Sequence, residues 1–339
     1  MKITLKEMCE GFEQESWTQA VLTPGKMPLL KVSGQWVPRG PILHNEYQLF
    51  DFPEIAAEKT AQQMVDFNNL NPFRGHFMTQ KSKVQFLVFP LNDTWSLQLV
   101  RQPELSLEEL DLSDNFLRSL DNPKGLYLLF GGRDSGKETL ATQIINRSVF
   151  KTSLGLFVGE GLIEAADRVL RVNSVNFEKG NWPTEAVDFV VIEPGVQVDQ
   201  SRIFRELSRG VTIFWVIDSL GLSAGLEDLA NRLSDDKWSQ LVRSFSWAIS
   251  IQRNTKARAD SVFAAELCSG TKGIRQALQT RDWDQFEQSL HATADSAGAR
   301  SLNQSLVSLI LKRKVDLRAG FEMSSKPEEL DQMLKQIGI

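Results

Sequence analysis

Four near-continuous apolar runs fall between residues 124 and 270: LYLLF (126–130), LGLFV (154–158), FVVI (189–192) and VTIFWVI (211–217). A strand with one wet face alternates apolar and polar residues, whereas a strand covered on both faces does not. These runs therefore predict a parallel sheet buried on both sides. Helical patterns over Thr139 to Arg147 and Asp199 to Arg209 lie between them. Alternating β and α elements predict an α/β domain. After residue 223 the pattern reads as largely helical. Leu302, Leu306, Leu309 and Ile310 mark one amphipathic face, and Pro327 stands as the first residue of a closing helix.

The first apolar run leads directly into GGRDSGKE, Gly131 to Glu138, and then into a helical pattern. A phosphate-binding loop needs this context. Backbone N–H groups and a helix N-terminus cradle phosphate there, and a lysine reaches the β/γ-phosphates. Gly131, Gly136 and Lys137 satisfy G-x-x-x-x-G-K. The next position ordinarily carries a Ser or Thr hydroxyl that holds Mg²⁺. Here it is Glu138, with Thr139 one place late.

Residues 18–105 read differently, as α+β. KMPLLKVSGQWVP predicts two short strands around a Ser33-Gly34 turn, and PEIAAEKTAQQMVDF, from Pro53, predicts a helix. KVQFLVFP (83–90) and WSLQLVR (95–101) alternate as strands joined by Asn92 and Asp93. The polar stretch from Gln102 to Asn122 reads as a linker and the entry to a second domain. A length of 339 residues fits two domains, and 42% hydrophobic with 24% charged residues excludes a disordered chain.

Other classes are excluded in turn. No stretch approaches the ~18 apolar residues of a membrane span, and the N-terminus lacks the apolar core of a signal peptide. A cytoplasmic protein is expected. Cys9 and Cys268 lie far apart with no metal-binding spacing, so no metal site is expected. The net charge of −5 argues against a nucleic-acid partner. His44, His76 and His291 share no motif. Asp235 and Asp236 precede a helical pattern, and the cations of LKRK (311–314) follow one, so helix dipoles account for both. Trp182, Trp215, Trp238, Trp247 and Trp283 are expected in packing roles.

LDLSDNFLRSLDNPKGLYLLFGGRDSGKETLATQII resembles the phosphate-loop region of the PilT-like type IV pilus retraction (twitching motility) ATPases, a branch of the type II/IV secretion-ATPase superfamily. GKMPLLKVSGQWVPRGPIL and FPLNDTWSLQLVRQ resemble the family's N-terminal strands. RGVTIFWVIDS stands in the place of its histidine box, and AAELCSGTKGIRQALQTRDWDQF is similar to the segment ending in its AIRNLI helix. ARSLNQSLVSLILKRKVDLRAGFEMSSKPEEL is similar to its C-terminal helices. The resemblance implies a PAS-like α+β domain over 1–105, a linker over 106–112 and a RecA-like P-loop domain over 113–339, usually within a ring hexamer. It implies nucleotide contacts from Gly131, Gly136, Lys137, Glu138, Thr139 and Arg101.

The family's catalytic set departs at several positions. A loop glycine is Asp134 and the Mg²⁺ hydroxyl is Glu138. The Walker B glutamate falls on Pro194, with Glu193 one residue early. The two histidines fall on Val211 and Asp218, and two finger arginines fall on Thr94 and Ser96, while Arg101 survives. The acidic box keeps Glu160 and Glu164, which with Glu193 are the weak catalytic candidates. At an effective dielectric near 20, each carboxylate about 5 Å from a phosphate opposes it by about 3–4 kcal/mol before screening. A salt bridge from Glu138 or Asp134 to Lys137 is expected instead. The chain is read as a pseudo-ATPase needing no cofactor, with ATP and Mg²⁺ as ligands if the loop still binds. Its expected partners are homologous motor ATPase subunits or the inner-membrane platform of a pilus or secretion machine, in a homo- or hetero-oligomer peripheral to that membrane. The alternatives are a slow or conditional ATPase and a nucleotide sensor that does not hydrolyse.

Overall fold

The computed structural model describes residues 4–12, 15, 17–32, 35–44, 48–56, 73–80, 82–91, 94–102, 107, 110, 112–133, 135–146, 154–159, 169–183, 185–254, 262–292 and 298–339. The described residues form two compact units, one within Met1–Glu104 and the other within Leu105–Asn254 and Val262–Ile339.

The first unit is an antiparallel sheet of β1 (Trp17–Leu22), β2 (Leu29–Val32), β3 (Gln35–Pro38), β4 (Phe73–Met78), β5 (Lys83–Leu91) and β6 (Thr94–Gln102). Their order is β3-β2-β1-β6-β5-β4. The alternation in the sequence explains its single core face. Val84, Phe86 and Val88 of β5, with Trp95, Leu97 and Leu99 of β6, are buried, and the residues between them are partly exposed where described. Helix Leu5–Phe12 contributes Leu5 and Cys9 to that core, and Leu49, Phe52 and Ile55 close it. The helix expected from Pro53 is seen over Pro53–Ala56. Its continuation, and both expected turns, lie outside the described residues.

The second unit is built on β7 (Leu126–Gly131), β8 (Gly155–Val158), β9 (Val169–Val172), β10 (Phe189–Ile192), β11 (Thr212–Asp218), β12 (Phe245–Asn254) and β13 (Val262–Ser269). The order is β13-β12-β7-β11-β10-β8-β9, parallel throughout except where β13 runs antiparallel to β12. The four apolar runs are β7, β8, β10 and β11, and both of their faces are covered. On one face Tyr127, Leu129, Phe157, Phe214 and Val216 meet Leu140, Ala141, Ile144 and Ile145 of helix Lys137–Asn146. On the other, Leu128, Phe130, Val190, Ile192 and Ile213 meet residues of helices Gln200–Ser208, Leu222–Arg232 and Asp235–Ser244. Helices Leu302–Leu311 and Pro327–Gln336 add a smaller core against Ala264, using the face marked by Leu302, Leu306, Leu309 and Ile310.

Two readings gain detail. The region after residue 223 is largely helical, as expected, and β12 and β13 interrupt it. Trp247 to Ile251 is a short buried run, and periodicity alone does not separate such a run from a buried helix. In the stretch read as a linker and domain entry, part of the chain packs into the second core. Leu107 and Leu110 are buried in the second core, and Asp114–Ser119 is a helix N-capped by Ser113. Among the described residues, no helix is long and apolar enough to cross a membrane.

Candidate functional site

Ligands of open α/β sheets bind beyond the carboxyl ends of the parallel strands. Here that edge carries Gly131 at the end of β7, Asp218 at the end of β11 and Glu193 just after β10. The loop after β7 is tight. The Ser135 amide donates to the Gly132 carbonyl (3.2 Å), and the helix starts at Lys137, its first turn closed by the Leu140 amide on the Gly136 carbonyl (2.8 Å). Gly136 has φ +94°, and a Cβ there would meet the Phe263 ring at 2.8 Å, so both backbone and space demand glycine.

Lys137 is the centre of the site. Its side chain is 2% exposed, and its Nζ lies 3.0 Å from Glu138 Oε1 and 2.9 Å from Asp218 Oδ1. It also donates to the Gly132 carbonyl at 3.1 Å. Burial pulls the lysine pKa down, but the Glu138 and Asp218 carboxylates outweigh burial, and the net shift is upward from 10.5. Strand register explains Asp218. It lies opposite Gly131 in the β7–β11 ladder, and alternation puts it on the face of Phe214 and Val216, where helix Lys137–Asn146 packs. Asp218 was read from sequence only as a histidine-box position. Its role as a lysine partner becomes visible only through the strand pairing.

The other sequence candidates are placed as follows. Thr139 is half-buried in the first helical turn, about 100° round the helix from Glu138. It does not stand in for the missing hydroxyl position. Glu193 is buried, and its Oε1 accepts from Arg171 Nη1 at 2.8 Å. Arg171 lies on β9, on the far side of β10 from β7, and its guanidinium covers the Phe157 ring at 5.3 Å. The end of β8 closes on the same carboxylate: Gly159, at φ +152°, has room for no Cβ, which would stand 2.2 Å from Glu193 Oε2. The Glu193 carboxylate is thus held by Arg171 of β9. Arg101 lies in β6 of the first unit, opposite Val84. Asp134, Glu160 and Glu164 lie outside the described residues.

This arrangement does not fit a Mg-nucleotide. The lysine that must reach the β/γ-phosphates is engaged by two carboxylates and a carbonyl, and the Mg²⁺ hydroxyl position holds one of those carboxylates. Among the described residues, no group of three or more His, Cys, Asp or Glu side chains is placed to hold a metal.

No protein-family model and no curated protein matches the chain. Solved structures do. The pilus retraction motor PilT with bound ADP superposes with a TM-score of 0.69 at 17% identity, over 98% of this chain and 100% of that one. The ATPase DotB of Legionella pneumophila gives 0.66 at 13% identity, over 94% and 95%. DotB of Yersinia pseudotuberculosis gives 0.63 at 15%, over 94% and 92%. The chain therefore has the fold of PilT and DotB, an N-terminal domain followed by a RecA-like ATPase domain.

Proposed function

We propose that this chain is a PilT-like member of the secretion-ATPase superfamily that no longer hydrolyses ATP. In this reading it serves a pilus or secretion-type motor as a structural or regulatory subunit, in contact with an active motor ATPase or with the membrane platform. The observation that carries the proposal is the internal neutralisation of Lys137 by Glu138 and Asp218. Phosphoryl transfer depends almost wholly on positioning and charge stabilisation. A loop lysine paired with two carboxylates supplies neither to a triphosphate. The pairing instead imitates a bound anion and keeps the loop ordered.

The test is calorimetric titration with Mg-ATP. The wild type is expected to show no binding. Glu138→Ser combined with Asp218→Asn removes both negative charges and restores a hydroxyl, so binding should become measurable, at least tenfold tighter than the detection limit that the wild type fails to reach. Such a gain corresponds to about 1.4 kcal/mol. Hydrolysis should stay at background in both proteins, because Pro194 and Val211 remain where the family carries catalytic groups. Failure of the folded double variant to bind would sink the electrostatic account.

A slow ATPase is the second reading, and one observation favours it. Glu193 continues the alternation of Phe189 and Val191, which pack on the face of helix Lys137–Asn146. It would act as the water-activating base if Arg171 released it. Steady phosphate release that vanishes in Lys137→Ala would establish this reading over the first.

A further inference from the structure

A second polar site lies at the opposite end of the sheet. A shallow pocket of about 370 Å³ opens where β7 and β12 begin and β13 ends. Five residues of β7, Leu126 to Phe130, separate it from the phosphate loop, roughly 17 Å at strand rise. Lys124 and Arg275 bring two cations to its lining, which contains no carboxylate. Among the described residues neither cation forms an ion pair with a carboxylate. Arg275 is fixed in place by backbone carbonyls: its Nε donates to Gly270 at 2.8 Å, and its Nη1 donates to Arg243.

Two independent features point the pocket at an anion. The first is the N-terminus of helix Lys272–Thr280, capped by Thr271, whose hydroxyl accepts from the Ile274 amide. Helix N-termini favour negative charge. The second is Ser269. It is 8% exposed and lines the pocket, yet its Oγ has no hydrogen-bond partner among the described residues. Strand pairing sets Ser269 opposite Trp247, and both lie with Tyr127 on the pocket face of the sheet. A buried hydroxyl without a partner is destabilising and asks for an explanation. The Oγ is nearly inaccessible in this conformation, so a ligand oxygen would supply the missing acceptor once the side chain turns toward the pocket.

We infer that this pocket binds a phosphate group, with Ser269 donating a hydrogen bond, Lys124 and Arg275 supplying the charge, and the helix N-terminus the local field. Trp247 and Tyr127 provide apolar walls for an organic body attached to the phosphate. Ligand pockets of this volume are large enough for a small phosphorylated molecule. The site is independent of the phosphate loop and of any nucleotide bound there.

Thermal unfolding of the full chain tests this, with inorganic phosphate or glycerol 3-phosphate titrated at constant ionic strength. Binding to the native state raises the unfolding midpoint as ligand is added. The midpoint should rise in the wild type and equally in Lys137→Ala. In Ser269→Ala and in Lys124→Glu, the half-saturating concentration should increase at least fivefold. Without ligand, Ser269→Ala should be as stable as the wild type or more so, since it deletes an unpaired hydroxyl. Lys124 is exposed, so its reversal leaves folding intact. A stronger response to glycerol 3-phosphate than to phosphate assigns the site to an organic ester, and equal responses assign it to the free ion. Identical titrations in all four proteins would overturn the inference. So would a response lost only in Lys137→Ala, or none in the wild type.

Discussion

At the scale of single residues, the loop after β7 has a tight, glycine-dependent backbone and a lysine engaged by two carboxylates. Gly136 records the first half of that statement. Its φ of +94° is one that L side chains rarely adopt, and the Phe263 ring stands where a Cβ would go. Gly136→Ala should therefore cost about 1–3 kcal/mol, through backbone strain and displacement of the ring. Denaturant unfolding would measure it, and a neutral substitution would mean that the loop is not held in this conformation. Lys137 records the second half. Its pairing with Glu138 was legible in the sequence, because both belong to one motif. The pairing with Asp218 was not, because it depends on which strand lies beside β7 and in what register. Glu193 shows the same limit. Its displacement from the Walker B position could be read, but its capture by Arg171 of β9 needed the strand order.

At the scale of elements, the buried parallel strands announced themselves through unbroken apolar runs, whereas β12 and β13 did not. β13 is an edge strand whose sequence mixes Glu266 among apolar residues, and Glu266 serves another element. Helix Leu222–Arg232 starts after Gly221, which has no side chain to cap it, and the Leu222 amide donates to Glu266 Oε2 at 3.0 Å. Burial pushes the Glu266 carboxyl up to about 7. The Leu222 bond and Lys326 oppose the rise, and Glu287 and Glu329 add to it. Lys326 is itself paired with Glu287, and His291 Nε2 lies 3.5 Å from Glu329 Oε1. A carboxyl raised above its ordinary 4.5 binds its proton more tightly in the native state. Its stabilising contribution is complete below pH 4.5 and is lost as pH rises through about 7. Glu266→Gln keeps the acceptor for Leu222 and carries no charge. It should match the wild type near pH 4 and exceed it in melting temperature at pH 8. Stability curves that stay parallel from pH 4 to 8 would contradict this assignment.

At the scale of the whole molecule, each unit carries a core of its own. The first is built from one face of an antiparallel sheet, with Leu97 and Leu99 fully buried beside Trp95 and Phe86. The second is built from both faces of a parallel sheet, with Ile213 and Ile192 among its fully buried residues. Among the described residues, none is shared between them. The change in sequence texture, from alternating strands to unbroken runs, made this division legible without any structure. The burial of Leu107 and Leu110 was not legible, since they are apolar residues set in an acidic stretch and pack only in the folded chain. Separate cores predict separate melting. Leu97→Ala deletes buried methyl groups from the first core at a cost of about 2–5 kcal/mol. In a unit of this size, each kcal/mol moves the midpoint by about 4–8 °C. Scanning calorimetry should resolve two transitions, of which Leu97→Ala lowers one and Ile213→Ala the other. If instead one transition appears and both substitutions lower it together, the two cores melt as a single cooperative unit, and stability changes in one would reach the phosphate loop in the other.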